Sequence, residues 1–155
     1  MDHISLYELN ILIRNALLAT LEQSYWVVAE IAEMRVHHNG HCFLELVEKE
    51  GQQIKAKTRA TIWASSYAAI SNRFTTITGQ HLKPGMKILF NASIQYHELY
   101  GLSLLIRDID AQYTIGERAR KRQETIDRLI ADGIFDMNRE LTAAAGTAAD
   151  RGDQQ

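Results

Sequence analysis

The sequence has one cysteine, one proline and no long apolar run. Cys42 cannot form a disulfide within the chain, and its apolar neighbours indicate a buried thiol that behaves as a small hydrophobe. No apolar segment approaches the roughly 20 residues that span a bilayer. The N-terminus also lacks the basic and then apolar order of a signal peptide. These absences predict a cytoplasmic protein without a membrane partner.

A strongly basic composition is also absent, because 17 Lys and Arg face 19 Asp and Glu for a net charge of -2. The charge is unevenly distributed. Residues 1–50 contain 3 Lys or Arg and 8 Asp or Glu, a balance of -5, whereas residues 51–155 contain 14 and 11, a balance of +3. Positive charge is concentrated in residues 54–63 and 118–122, and a charge run such as the second is usually a solvated face.

The first part of the chain predicts a helix followed by strands. Ser5 and Glu8 have the spacing of a capping box at the start of a helix over residues 5–22. Apolar residues then recur at helical intervals and predict one stripe that packs against the rest of the protein. This stripe consists of Leu9, Ile13, Ala16, Leu17 and Leu21.

Two strands with alternating polarity follow this helix. From Tyr25, residues Val27, Ala29 and Ile31 share one face, while Arg35 can point to the other. The second strand, over residues 41–49, has an inward face composed of Cys42, Leu44 and Leu46. Asn39-Gly40 between the strands is typical of a turn.

The second part of the chain predicts a helix, two strands and a final helix. The first of these helices is capped by Ser65 or Ser66 and buries Tyr67, Ile70 and Phe74. Strands over residues 86–97 and 102–113 follow, and the second has a slip in its apolar alternation near Arg107 and Asp108 that indicates a bulge. The last helix runs from about residue 117 to 132, with Gly133 as its end.

This order of elements predicts the fold class. Five strands with a helix between the third and fourth are typical of an OB-fold, a mainly β (α+β) Greek-key barrel, here with additional N-terminal and C-terminal helices. We expect an OB-fold nucleic-acid-binding domain with its N-terminal helix over residues 1–115. A C-terminal helix and linker over 116–141 and a disordered tail over 142–155 are expected to follow, because the tail is small, polar and without apolar periodicity.

The third predicted strand has a cationic face. In Ile54–Trp63, alternation places Lys55, Lys57, Arg59, Thr61 and Trp63 on one side. Cations beside a flat ring suit single-stranded nucleic acid, which presents phosphates and unstacked bases. The alternative is the solvated outer face of a half-buried strand. An OB-fold favours the first interpretation, since its ligands lie across strands two and three and between the flanking loops.

Other residues near this face are candidate contacts. Phe43 is predicted outward on the second strand, with His41 beside it, and either a base or a neighbouring loop would cover its ring. Trp63 lies at a strand end, where packing against the helix of Tyr67 competes with base stacking. Tyr100 is at a turn. The full set of candidate nucleic-acid-binding residues is Lys55, Lys57, Arg59, Phe43, His41, Trp63, Tyr100 and Arg35.

Catalytic and cofactor motifs are not evident. His37, His38 and His41 cluster near Glu30, Glu33 and Glu45, but their spacing matches no zinc pattern, and loop polarity or phosphate contact explains them as well. The sequence contains no Gly-rich phosphate loop and no recognisable Ser-His-Asp motif. We therefore assign no catalytic residue, no metal and no cofactor.

Several segments resemble a known family, the large subunit of exodeoxyribonuclease VII, and specifically its N-terminal OB-fold domain. The resemblance covers residues 5 to about 141 in the family's order, most closely in the form associated with Bacteroidetes-like bacteria. It is carried by Ser5-Leu6-Tyr7-Glu8-Leu9-Asn10, Tyr25-Trp26-Val27, Gly40-His41-Cys42-Phe43-Leu44-Glu45-Leu46, Thr61-Ile62-Trp63, Pro84-Gly85-Met86-Lys87-Ile88-Leu89, Tyr96-His97-Glu98-Leu99-Tyr100-Gly101-Leu102 and Ile130-Ala131-Asp132-Gly133-Ile134-Phe135.

The resemblance implies a domain that binds single-stranded DNA for a hydrolase. Enzymes of this family degrade single-stranded DNA to oligonucleotides and combine large and small subunits, with the nuclease core C-terminal to this domain. After Glu140-Leu141 the sequence departs from the family, so we expect the catalytic part to be absent from this chain. Natural truncation, a frameshift and an excised domain are all consistent with this ending. Partners implied by the resemblance are single-stranded DNA and, in a full complex, the small subunit or the nuclease core.

Two functions therefore remain in contention. The first is an OB-fold that captures single-stranded DNA with weak sequence preference and steep salt dependence. The second is a protein-interaction module that docks another subunit or the nuclease core, for which Ile126, Leu129 and Ile130 would form an exposed apolar stripe. A third, weaker possibility is a His-metal hydrolase, which chelation would inactivate.

Overall fold

The computed structural model describes the backbone of residues 1–146 and the side-chain surroundings of residues 1–134. Its elements begin with helix α1 (Leu6–Thr20), followed by strands β1 (Tyr25–Val36), β2 (Cys42–Glu50) and β3 (Gln53–Ile62). Helix α2 (Ala64–Thr78), strands β4 (Lys87–His97) and β5 (Gly101–Asp110), and helix α3 (Ala111–Gly146) complete the order. The predicted helix, three strands, helix, two strands and helix are confirmed.

The five strands form a closed barrel in the order β1-β2-β3-β5-β4. Four of the neighbouring pairs are antiparallel: β1 with β2, β1 with β4, β2 with β3, and β4 with β5. The fifth pair, β3 with β5, is parallel and closes the barrel. A closed five-stranded barrel with a helix between β3 and β4 is the predicted OB-fold. Closure leaves the outer face of β2 and β3 as a continuous surface between the loops.

The barrel interior is filled by the inward-facing residues of the strands. Cys42, Leu44 and Leu46 of β2 are at most 4% exposed, as their alternation predicts. Ile88, Phe90 and Ala92 of β4 and Ile106 and Ile109 of β5 are equally buried. The two apolar positions on β5 are three residues apart because Arg107 is an extra residue in the ladder, with Asp108 opposite Asn91 and Ile106 opposite Ala92. The predicted bulge is confirmed.

Helix α2 closes one end of the barrel with Ile70 and Phe74, both buried as predicted. Its predicted cap is wrong by two to three residues, since Ser65 and Ser66 lie inside the first turn. Trp63 is at the N-cap and makes no side-chain capping hydrogen bond. A side chain from the β1–β2 loop supplies that bond instead, as described below.

The packing of α1 differs from the prediction. Its capping box forms as expected, with Glu8 N donating to Ser5 Oγ and Ser5 N donating to Glu8 Oε1. However, no residue of α1 is buried, and Leu9 and Ile13 of the predicted stripe are 43% and 37% exposed. The helix is instead linked to the barrel unit through the adjacent side of the helix, which carries Asn10 and Arg14. Tyr96 Oη donates a hydrogen bond to Asn10, and Arg14 pairs with Glu98.

The C-terminal helix also differs from the prediction at both ends. β5 ends at Asp110 rather than residue 113, and α3 begins at once and continues to Gly146 through Gly133, which was the expected end. A glycine costs an exposed helix only about 1 kcal/mol relative to alanine, so the good helix formers around it extend the helix. The segment expected to be disordered, 142–155, begins inside this helix, and residues 147–155 lie outside the described residues.

The chain divides into two compact units, Met1–Ile115 and Gly116 onwards. The first contains α1, the barrel, α2 and the first turn of α3, where Thr114 is 2% exposed and donates to the Lys87 carbonyl. The second consists of the rest of α3, whose residues from Lys121 to Ile134 are all exposed. The division of the chain into a binding domain, a linker helix and a tail remains our proposal.

Candidate nucleic-acid interface

The outer surface of β2 and β3 presents three of the predicted contacts. Directly opposite residues of an antiparallel pair point to the same face. Phe43 is opposite Thr61, and Glu45 is opposite Arg59, so these side chains share the outer surface. We call this surface, consisting of Phe43, Glu45, Lys57, Arg59 and Thr61, the β2–β3 face.

Lys55 departs from the predicted alternation. Glu48 is opposite Ala56 and Lys49 is opposite Ile54, so Lys55 is an extra residue in β3 without a partner on β2. An extra residue interrupts the two-residue period, and the shared cationic face is therefore ensured only for Lys57 and Arg59. Lys55 instead lies on an end of β3 where Ile54 is also 55% exposed, which places it at the margin of the β2–β3 face.

The cations of β3 have nearby polar partners. Lys57 Nζ lies 3.3 Å from Glu45 Oε2, and Lys55 Nζ lies 3.9 Å from Glu50 Oε1. The Lys55 and Lys57 side chains remain 59% and 57% exposed. Exposed ion pairs of this kind contribute about 0–1 kcal/mol, so a phosphate can replace either carboxylate at little cost.

An aromatic cluster lies at one end of the face, beside the β1–β2 loop. The Phe43 ring has its edge toward His37 and His41, at centroid distances of 6.3 and 6.4 Å. The Arg35 guanidinium lies 5.7 Å from the centroid of the Phe43 ring, within the range of a cation–π contact. We call Arg35, His37, His41, Phe43 and Trp63 the loop cluster. It combines partly exposed π surfaces with a cation.

His41 connects this cluster to α2. Its Nδ1 accepts a hydrogen bond of 2.8 Å from Ala64 N, which satisfies one of the unpaired amides in the first turn of α2. Its ring contacts the ring of Trp63 edge-on at 4.8 Å, and Trp63 remains 47% exposed. Gly40 makes this approach possible, because its φ is +92° and a Cβ there would come within 2.9 Å of Ala64 Cβ.

The β4–β5 turn borders the face beside Arg59. An Arg59 terminal nitrogen donates to the Tyr100 carbonyl, so the β3 cation and the turn are in direct contact. The Tyr100 ring is stacked on His97 at 4.7 Å with an interplanar angle of 28°, and Tyr100 is 69% exposed. The predicted turn aromatic therefore lies beside the predicted cationic strand.

The structure thus brings together seven of the eight predicted site residues, with Lys55 at the margin. Sequence reasoning missed His97, whose position three residues before Tyr100 across a short turn could have suggested the stacked pair. It also missed Glu45 as the partner of Lys57. A diagonal contact between strands depends on register, and the alternation of a single strand does not specify register.

The cysteine and histidines show no sign of a reactive centre. Cys42 is fully buried, and burial raises the pKa of its thiol to about 11. His37 and His38 contact each other at 4.1 Å, while His41 uses Nδ1 as an acceptor from the backbone. Over the part of the chain that the structure describes, no group of three His, Cys, Asp or Glu residues is placed to hold a metal ion, and no helix is long and apolar enough to cross a membrane.

Comparison with known protein families gives a match over most of the barrel. The model of the family described as the OB-fold nucleic acid binding domain matches residues 4–110. This range includes α1, all five strands and every candidate contact. A family-wide match over two thirds of the chain agrees with the closed barrel described above.

Comparison with individual proteins gives one curated relative and several remote structures. The exodeoxyribonuclease 7 large subunit of Deinococcus radiodurans is 34% identical over 122 residues, which is 75% of this chain and 29% of that protein. The chain therefore spans less than a third of this relative's length.

Two solved structures are similar to part of this chain. The mitochondrial single-stranded DNA binding protein Rim1 of S. cerevisiae has 16% identity, covers 56% of this chain and 91% of its own, and has a TM-score of 0.40. The N-terminal domain of PriB from Thermoanaerobacter tencongensis has 18% identity, 57% and 93% coverage, and a TM-score of 0.37.

Proposed function

The chain belongs to the OB-fold nucleic acid binding domain family, and from that premise we propose that its β2–β3 face binds single-stranded DNA. One observation carries the proposal: the face has cations in its middle, and exposed aromatic groups lie at one end of it and beside Arg59. The cations are Lys57 and Arg59, and the aromatic groups are the loop cluster and the stacked Tyr100–His97 pair. Phosphates pair with the cations while unstacked bases cover the rings.

A single strand fits this arrangement better than a duplex. The aromatic groups present ring faces and edges that a base can contact only when it is unstacked and unpaired. The face contains few side chains arranged to read base edges, so we expect weak sequence preference. Affinity should instead depend steeply on salt, because phosphate contacts release counterions.

The relationship to exodeoxyribonuclease VII extends this proposal to a role. In a larger assembly the domain would hold single-stranded DNA for degradation by a nuclease core, with that core or the small subunit as its partner, and would work in the cytoplasm. The support is the 34% identity to the large subunit of Deinococcus radiodurans. Since the chain spans 29% of that protein, the activity of the whole enzyme is a proposal for this chain.

The binding proposal is tested by anisotropy titration of labelled oligothymidine and duplex DNA across a salt series. A Lys55→Ala, Lys57→Ala, Arg59→Ala variant should lose affinity for the single strand on the order of 10- to 100-fold. Its salt slope should fall by about 2, since each phosphate contact with a single strand contributes about 0.7. Equal binding of this variant and the wild type would show that the β3 cations are not the site.

A matched control removes the same charge elsewhere. Lys121, Arg122 and Arg128 are exposed on α3, and their triple alanine variant also lowers the net charge by three. We expect this control to keep its affinity for the single strand within about threefold, because only long-range electrostatics change. If both variants lose affinity equally, the effect comes from net charge and the proposed surface is wrong.

The protein-interaction alternative has one observation in its favour. Ile126, Leu129 and Ile130 of α3 are 41%, 64% and 55% exposed, as the alternative requires. Sedimentation of the chain over a range of concentrations tests whether this stripe supports self-association. A monomer at all concentrations that still binds single-stranded DNA would favour the binding function alone.

A further inference from the structure

An open groove lies between α1 and the β4–β5 strands, on the far side of Tyr100 from the β2–β3 face. Its volume is about 890 Å³, within the range of roughly 300–1,000 Å³ typical of sites for small organic ligands. Both of its walls belong to the unit formed by residues 1–115. No residue of the β2–β3 face lines this groove. Tyr100, which contacts Arg59 of that face, does line it.

The two walls of the groove differ in chemistry. The α1 wall presents leucines, among them Leu18, which is 65% exposed, and Leu21. The sheet wall is polar, because Gln95 and Ser103 are directly opposite each other on β4 and β5 and share one face. A flat heterocycle with one hydrogen-bonding edge suits such a site, since its ring can cover the leucines while its edge faces the amide and hydroxyl.

Two arginines supply positive charge to the same groove. Arg107, the bulge residue of β5, uses Nε to donate to Ser93 Oγ. Its two terminal nitrogens make no hydrogen bond to any residue in the described part of the chain, so they are available to an anion. Arg14 is paired with Glu98, and Glu22 is the one carboxylate that lines the groove. A guanidinium fixed at Nε with a free fork is suited to a phosphate.

Tyr100 joins the groove to the proposed binding face. Its carbonyl accepts from Arg59 on that face, while its side chain lines the groove beside His97. A strand bound at Arg59 can therefore reach the exposed Tyr100–His97 stack, and through it the groove. The two surfaces meet at Tyr100.

We propose that this groove is a second nucleotide subsite, which takes one or more nucleotides of the single strand after it passes Tyr100. Bases occupy the space between the leucines of α1 and the Gln95–Ser103 wall, and Arg107 binds the backbone phosphate. The inference rests on the proposed binding function and adds a path to it. It also gives α1 a role, because that helix is otherwise held by only two polar contacts that face the barrel.

The test compares a short and a long oligothymidine, of about 5 and 15 nucleotides, across the range of sites known for one OB-fold. Arg107→Gln in the full chain should leave affinity for the short oligonucleotide within twofold and lower that for the long one by about 3- to 10-fold. Its salt slope for the long oligonucleotide should fall by about 0.7. Arg128→Gln, an exposed arginine on α3, controls for the loss of one charge. Thermal unfolding followed by near-ultraviolet circular dichroism checks that the Arg107→Gln protein is folded.

A photo-cross-link gives an independent readout. A long oligonucleotide with 5-iodouracil at successive positions should label peptides containing residues 93–107 or 17–24 from positions outside the short site. If no oligonucleotide binds the protein, the proposed function of single-stranded DNA binding is itself wrong. Binding of both lengths with no effect of Arg107→Gln and no such cross-links would overturn the groove alone. The groove proposal would also be overturned if the chain formed concentration-dependent dimers that Leu18→Ser abolished without changing binding of the long oligonucleotide. In that case the groove would bind a second copy of the chain.

Discussion

At the scale of single residues, the proposed binding face is made of side chains that are held by neighbours and remain partly exposed. Arg59 donates to a turn carbonyl, Lys57 pairs with Glu45, and the Arg35 guanidinium covers Phe43. Such contacts are weak individually, yet they restrict the rotamers of long side chains before DNA arrives. Restriction of this kind lowers the entropic cost of binding.

Phe43 is the residue whose aromatic character should matter most in the loop cluster. Phe43→Leu keeps an apolar side chain of similar length but removes the π face. Since stacking of a base contributes about 1–3 kcal/mol, we expect affinity for oligothymidine to fall at least about fivefold, with an unchanged salt slope. Anisotropy titration at several salt concentrations measures both quantities. Ile77→Val on α2, outside the face, is the control, and a loss equal to its effect would argue against stacking on Phe43.

Cys42 should be chemically silent in the folded protein. Burial raises the pKa of its thiol from 9.0 to about 11, so at pH 8 only about one molecule in a thousand carries the thiolate that reacts. We expect negligible reaction with a disulfide reagent at pH 8 in the native state and full reaction in urea, with Cys42→Ala as background. Rapid native labelling would contradict the buried position.

The same shift has a consequence for stability at alkaline pH. Because the folded pKa is raised, the unfolded thiol ionises first, and the contribution of Cys42 to the free energy of unfolding falls as pH rises from about 9 towards 11. Urea denaturation at pH 8 and pH 10 should therefore show a larger loss for the wild type than for Cys42→Ala. Equal losses would mean that Cys42 does not titrate differently in the two states.

At the scale of elements, α1 and the barrel strands differ in how strongly they are held. The strands bury a shared core, whereas α1 has no buried residue. It is linked to β4 by the Asn10–Tyr96 hydrogen bond and to the following turn by the Arg14–Glu98 ion pair. The apolar periodicity of residues 5–22 correctly predicts a helix. It does not predict which side of α1 faces the barrel, because apolar residues flank Asn10 and Arg14 on both sides of the helix.

Hydrogen exchange should reveal this difference directly. We expect the amides of α1 to exchange well before those of β1 and β4, because local opening of α1 exposes little apolar surface. Tyr96→Phe removes the hydroxyl that donates to Asn10 and should speed exchange in α1 about fivefold, the equivalent of about 1 kcal/mol. Tyr7→Phe, at an exposed position of α1, should not. Protection of α1 equal to that of the strands would contradict the weak attachment.

At the scale of the whole molecule, the core of the barrel is complete without most of α3. Every core residue lies at or before Ala111, and the last buried position is Thr114 among the residues whose exposure the structure describes. None of residues 116–134 of the second unit is therefore part of this core. This supports the proposed boundary near residue 115 without requiring a second hydrophobic core.

Truncation after Gly116 tests this independence. We expect residues 1–116 to unfold cooperatively, with a Tm within about 5 °C of the full chain, because residues 117–134 contain no buried side chain. Differential scanning calorimetry of the two proteins makes the comparison, and Phe74→Ala in the full chain is a positive control that should lose about 3–5 kcal/mol. A broad transition, or a fall as large as that of Phe74→Ala, would show that α3 is part of the folding unit.

The sequence by itself determined the order of elements, the inward face of β2, the bulge at Arg107 and the resemblance to a nucleic-acid-binding domain. These features depend on local periodicity, turn residues and short motifs, all of which are written in neighbouring positions. Tertiary structure decided the rest: the bulge that sets Lys55 apart, the pairing of Lys57 with Glu45, the contact of Arg59 with Tyr100, and the groove beneath α1. Each of these joins residues from different elements, and their distances depend on strand register and barrel closure, which no single segment specifies.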